Sequence, residues 1–228
     1  MLGRAAMLLA FDIAEPAIAE HDDWHTHEHL PERLSIPGFL RGTRWVALRG
    51  GQPRYFVIYE VSDLDVLTSD AYLSRLNNPT PWTSKMMPHY RGMTRGFCAV
   101  TGSAGLGLGN AALVVQFKPG DASVLRDWLM KDVMPALSSR PGLGGCYLFE
   151  SAAAAPMTRE QRIRGVDAGL DWVLVATGYD EQAVTDLERA DLEKGRLEGR
   201  GAAVSGFGLY RTDYTLYEVE KRGGGIAA

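Results

Sequence analysis

The chain has 228 residues, with 24 Lys and Arg against 28 Asp and Glu, a formal net charge of −4, and 46% hydrophobic residues. That balance excludes wholesale disorder and argues against a polybasic surface for nucleic acid or membrane. Cys98 and Cys146 are too few for a disulfide framework and match no spaced zinc pattern, which points to a reducing, cytoplasmic setting.

The first apolar run, residues 7–13, reads as a buried strand. Asp12 and Glu15 interrupt it too early for a secretion signal, and no stretch approaches the roughly 20 apolar residues of a membrane span. A helical stretch follows to about Ser35, then Pro37-Gly38 as a chain stop. Strands are expected over 40–48 and 55–61, a helix over 63–77 and a strand over 95–101. The second half opens with a strand over 111–117 and a helix over 121–139, which stops at Pro141-Gly142. Strands over 145–150 and 172–177, a helix over 180–198 and a strand over 206–218 complete it. Asp63 and Asp121 stand where N-cap carboxylates belong.

Positions 7 and 111, and positions 37 and 141, share an offset of 104. The later helices, at 63 and 180, are 117 apart, so the second half holds an insertion, placed at residues 151–169. Each half therefore reads β-α-β-β-α-β. The expected class is α+β, two fused ferredoxin-like repeats packed as a pseudo-two-fold barrel. Residues 1–102 form the first half, 103–110 a glycine-rich linker, 111–220 the second half and 221–228 a tail. The linker lacks G-x-G-x-x-G spacing and leads into a strand, so it does not read as a phosphate loop.

The chain has five histidines, and His21, His25, His27 and His29 are four of them. At helical spacing His21, His25 and His29 share a face with Ile18, while His27 points away. Pro31 is expected to end or kink the helix just past His29. Imidazoles at a helix C-terminus under opposing burial and dipole effects suit acid–base work, with Glu28 or Glu32 orienting them and Arg33 stabilising negative charge. A solvated polar cluster is the plain alternative. A metal held by His25 and His29 is a third, although Thr26 stands where an H-E-x-x-H motif requires glutamate. The corresponding helix of the second half keeps Trp128 and has no histidine.

Residues 78–90 read as a proline-rich loop too irregular for a helix, and Trp82, Met86 and His89 on it are candidates to line an apolar cavity. Arg44, Tyr59 and Arg95 on strands are candidates to hold a substrate oxygen or carboxylate. No G-x-S-x-G elbow is present.

The repeat, with Trp24, His29, Pro31 and Pro37-Gly38, resembles the dimeric α/β-barrel superfamily, and within it the EthD-like branch, as a tandem duplication. There an aromatic residue and an H-x-P histidine on the first helix precede a Pro-Gly. His25 and His29 both remain candidates for the family histidine, and Pro31 follows His29 in the matching place. The resemblance implies a small-molecule enzyme, since relatives include isomerases, cyclases, monooxygenases without a prosthetic group and haem-binding enzymes. It implies Trp24 as a substrate contact. The expected function is cofactor-independent acid/base chemistry, an isomerisation, cyclisation or related lyase or oxygenase step, on a small hydrophobic, aromatic or polyketide-like molecule. No cofactor, metal, nucleic acid or membrane is expected, and a homodimer through sheet edges or helix faces stays open. The alternatives are a non-catalytic binding or stress-response barrel, and a metal or haem enzyme using His21, His25 and His29.

Overall fold

The structure, a computed structural model, describes residues 1–153 and 157–218. The first half runs β1 (Ala5–Ile13), α1 (Ile18–Trp24), a π turn (His25–His29), α2 (Leu30–Leu34), β2 (Phe39–Ala47), β3 (Tyr55–Val61), α3 (Asp70–Asn77), α4 (Pro81–Met86) and β4 (Tyr90–Gly105). The second half runs β5 (Ala111–Pro119), α5 (Ala122–Trp128), a π turn (Leu129–Val133), α6 (Met134–Ser138) and β6 (Leu143–Ser151). It continues through α7 (Arg159–Arg164), β7 (Ala168–Gly169), β8 (Trp172–Gly178), α8 (Glu181–Asp186), α9 (Lys194–Glu198) and β9 (Ala202–Tyr217).

Eight strands close on themselves in the order β1-β3-β2-β9-β5-β8-β6-β4, with β4 returning to β1, and all these pairings are antiparallel. The two-residue β7 adds a parallel pairing on the outside of β4. The last strand of each half is sixteen residues long and crosses the boundary between halves. β4 pairs with β1 over its first part and β6 over its second, and β9 pairs with β5 and then β2. Closure satisfies the backbone edges that an open sheet would expose. Among the described residues the eight-stranded ring therefore leaves no unpaired barrel edge.

β1 is buried on both faces, which accounts for its continuous apolar run. Ala6, Leu8 and Ala10 face the barrel interior with Trp45, Phe56, Tyr147, Phe149 and Tyr210. Met7, Leu9 and Phe11 face outward and pack under the first half's helices. A separate cluster, including Leu113, Val115, Leu129 and Leu174, does the same for the second half.

The offset of 104 extends further than the strands. Trp24 and Trp128 each precede a five-residue π turn, Pro31 and Pro135 each lie in the first turn of the next helix, and Gly38 and Gly142 each have a positive φ, +93° and +85°. On the inward face, His21, His25, His29 and Arg33 occupy the places of Leu125, Leu129, Val133 and Leu137, and all eight are buried. The second half thus shows what packing alone asks for at these places, and it is aliphatic.

Several expectations are corrected. The helix does not stop at His29: Leu30 stays helical at φ −61°, ψ −50°, and the widened π turn takes up the missing proline donor. Residues 81–86 form a short helix after all, with Pro81 in its first turn and Thr80 capping Thr83 N at 2.9 Å. The helix expected over 63–77 divides into a 3-10 turn capped by Asp63 and α3 capped by Ser69. Ser103, Ala104 and Gly105, expected in the linker, continue β4 alongside β6. The tail at 221–228 and residues 154–156 of the insertion lie outside the described residues.

Candidate active site

The α1–π turn–α2 helix lies across the outer face of β1, β2 and β3, and its inward face carries three imidazoles in series. The His21 and His25 ring centroids are 5.5 Å apart, and so are those of His25 and His29. Trp24, fully buried, lies 4.4 Å from His29 between ring centroids. The Tyr59 hydroxyl, rising from β3, is hydrogen-bonded to His25 Nε2 at 3.2 Å. His27 is exposed, with Nδ1 3.0 Å from the Asp23 carbonyl.

His25, His29, Arg33 and Tyr59 line one cavity with Met7, Leu9, Phe11 and Val57 below them and Tyr72, Tyr90, Met93 and Arg95 around the side. Its roof comes from the insertion in the second half: Glu160 and Arg164 of α7 reach over the first half's pocket. Arg33 Nη2 donates to both Glu160 oxygens at 2.7 Å, with both residues almost fully buried. Arg164 pairs with Asp167 at 2.7 Å, and Arg95 lies 3.7 Å from the same carboxylate. The cavity is half-open to solvent, with free space of about 30 Å³, room for about two water molecules.

Burial holds His25 and His29 well below their ordinary pKa, and neighbouring positive charge adds to it, chiefly Arg33 for His29 and His21, when protonated, for His25. Burial also lowers His21, with Asp22 opposing the shift. At neutral pH the ladder is therefore a set of neutral bases beside fixed guanidinium groups. His25 Nδ1, His29 Nδ1 and Arg33 Nη1 have no hydrogen-bond partner among the described residues. A purely structural core rarely leaves such groups unsatisfied.

The remaining candidates divide between pocket and framework. Glu28 does not face an imidazole: its Oε1 accepts from Trp24 Nε1 at 3.1 Å and from Thr80 Oγ1 at 2.6 Å, tying the π turn to α4. Glu32 lies 3.8 Å from Arg33 and 3.7 Å from Arg75, with its pKa raised by burial. Arg44 is committed to Asp213 at 2.6 Å and to the Asp22 carbonyl at 3.2 Å. Trp82 donates to Glu20 at 3.1 Å, Met86 is packed in the helix–sheet core, and His89 offers its carbonyl to Ala14; none of the three lines the cavity. The residues that sequence reasoning missed are Tyr72, Tyr90, Met93, Glu160 and Arg164. A charged insertion in one half only was the available signal for the last two.

The imidazoles stand in a row rather than converging, and among the described residues no group of three or more His, Cys, Asp or Glu side chains is gathered to hold an ion. A haem does not fit either. The free space beside His25 and His29, about 30 Å³, does not hold a macrocycle, and Arg33 and Glu160 stand beside it.

These features define a ferredoxin-like α+β chain that closes a dimeric-α/β-barrel architecture within itself. Solved structures with the same fold include an anthrone oxidase-like protein, at TM-score 0.65 and 11% identity over 98% of this chain and 96% of that one. A candidate monooxygenase from Fusobacterium nucleatum matches at TM-score 0.58 and 9% identity over 95% and 96%. A variant chlorite dismutase from Candidatus Nitrospira defluvii, solved with cyanide, matches at 0.54 and 12% over 94% and 92%. No protein-family model matches the sequence, and the search of curated proteins found no match.

Proposed function

We propose that the chain is a cofactor-independent enzyme that moves protons on a small hydrophobic, aromatic or polyketide-like molecule in the cavity under the α1–α2 helix. His29 and His25 act as base and acid, Arg33 carries developing negative charge, and Tyr59 holds His25 in place. The observation that supports this best is that His25, His29 and Arg33 line one cavity while His25 Nδ1, His29 Nδ1 and Arg33 Nη1 have no hydrogen-bond partner among the described residues. A base that is neutral at pH 7 next to a preorganised cation can take a proton and stabilise the anion left behind. One such acid–base group contributes about 10² to 10⁴ in rate, enough for isomerisation or cyclisation of an already acidic substrate.

The fold shared with an anthrone oxidase-like protein and a candidate monooxygenase is in keeping with this reading. The H-x-P segment His29-Leu30-Pro31 supports placement near the EthD-like branch, and the matched π turns support an origin of the halves by duplication. Buried free Cys98 and Cys146 suit a cytoplasmic location. No described helix is long and apolar enough to cross a membrane.

The test is turnover of hydroxyaromatic and polyketide-like compounds by the protein and its His29→Ala and His25→Ala variants. Loss of rate in either is expected, and unchanged rates in both overturn the assignment.

A further inference from the structure

The mechanism above uses His25 and His29 and leaves His21 without a role. His21 is fully buried, does not line the cavity, and occupies a place that Leu125 fills in the second half. Its Nδ1 donates to Asp22 Oδ1 at 3.1 Å, while its Nε2 has no partner among the described residues. Leaving such a nitrogen unsatisfied costs stability that a leucine keeps. Asp22 is different: its side chain is 35% exposed, and Tyr55 Oη donates to the same oxygen at 2.7 Å.

We propose that His29, His25, His21 and Asp22 form a proton relay from the cavity to the solvent-facing Asp22 nearer the helix N-terminus. The three rings are spaced evenly at 5.5 Å, and each keeps one ring nitrogen without a hydrogen-bond partner among the described residues. Phe11, Tyr55 and Tyr90 pack around His21, at centroid distances of 5.6, 4.7 and 5.8 Å, so His21 carries the route through an aromatic layer to Asp22. At this spacing a ring rotation or one bridging water connects neighbouring nitrogens. A proton taken by His29 makes an imidazolium. His25 accepts the excess proton on its unpartnered Nδ1 and, by a ring rotation that takes Nε2 off Tyr59 Oη, releases the Nε2 proton to His21 Nε2, and His21 releases its Nδ1 proton to Asp22. Asp22 then passes the proton to water, and a rotation of each ring restores its starting tautomer. Charge and protons balance without an oxidant, a metal or a second substrate.

Other charged groups face this route. Arg44 from β2 donates to the Asp22 carbonyl, Arg54 stacks on Tyr55 at 5.5 Å, and Arg33 stands beyond His29 at the cavity end. Positive charge at both ends keeps a proton from resting on the ladder, which favours transfer over storage.

This inference rests on the reading of His25 and His29 as acid–base groups, but its test needs no substrate, so the two can fail separately. The measurement is solvent exchange of the His25 and His29 imidazole N–H protons in isotope-labelled protein, with backbone amide exchange in β1 as the reference. His21→Leu installs the residue that the second half uses, and Asp22→Asn changes a half-exposed group, so at least one variant should fold. The expected result is imidazole exchange slowed roughly tenfold or more in the folded variants, with β1 amide exchange unchanged. Unchanged imidazole exchange overturns the relay. So does imidazole exchange that changes in step with the β1 amides, because local opening then carries the protons.

Discussion

His25 and Leu129 hold one place in the two halves: each opens a five-residue π turn directly after a buried tryptophan, and each is itself buried. Helix packing on the sheet is satisfied by leucine there, as the second half demonstrates. An imidazole in the same place loses hydration that it does not fully recover. The first half therefore gives up stability along the face that lines the cavity, a pattern common where a site needs groups that the fold does not.

His29→Val, which installs the counterpart of Val133, is expected to raise stability by about 1 kcal/mol, because His29 Nδ1 has no partner to lose. Urea denaturation measures the gain. A loss of 1 kcal/mol or more would show that the imidazole is a packing element and not a functional insertion into an aliphatic face.

Much of this was legible in the sequence. The offset of 104, the Pro-Gly stops and the shared face of His21, His25 and His29 follow from periodicity, because each depends on residues close together in the chain. The π turns were not legible, since a five-residue widening leaves the i, i+4 pattern intact while shifting the proline out of conflict. Nor was the roof of the cavity. Glu160 meets Arg33 across 127 positions of sequence, and only barrel closure brings the second half's insertion over the first half's helix. Arg44 and Trp82 look like pocket groups by residue type alone, because their partners Asp213 and Glu20 are distant in the sequence.

Stability should fall on the acid side through the buried imidazoles. His21, His25 and His29 have folded pKa values below their ordinary 6.5. As pH drops through about 6.5 the unfolded chain takes up protons at these positions and the folded chain does not, so stability decreases with decreasing pH. Each imidazole contributes a slope of up to about 1.4 kcal/mol per pH unit until its folded pKa is reached, and nothing well above 6.5. Denaturation series on the wild type and the His25→Leu, His29→Val double variant should diverge below about pH 6.5, with the variant flatter. Parallel curves would mean that the imidazoles protonate in the folded state.

The Arg33–Glu160 pair should behave as a buried pair. Glu160→Ala leaves a guanidinium without its carboxylate and is expected to cost about 3 kcal/mol. Arg33→Leu with Glu160→Leu, which restores the aliphatic character of Leu137, should recover most of that loss. A double-mutant cycle by urea denaturation reads the coupling. A cost below about 1 kcal/mol for Glu160→Ala would place the pair in water and the α7 roof away from the cavity.

Gly38 and Gly142 are the same turn in the two halves, but their neighbours differ in how they can give way. Both have positive φ, so alanine is strained at each, by about 1 kcal/mol or more. A Cβ at Gly38 would lie 2.5 Å from Val66 Cγ2, a branch tip that can rotate. A Cβ at Gly142 would lie 2.5 Å from Ala183 Cβ, which moves only with the backbone of α8. Gly142→Ala should therefore destabilise more than Gly38→Ala, with the excess carried by displacement of α8 against β8. Thermal denaturation of the two variants ranks them, and equal losses would show that backbone strain alone sets the cost at both turns.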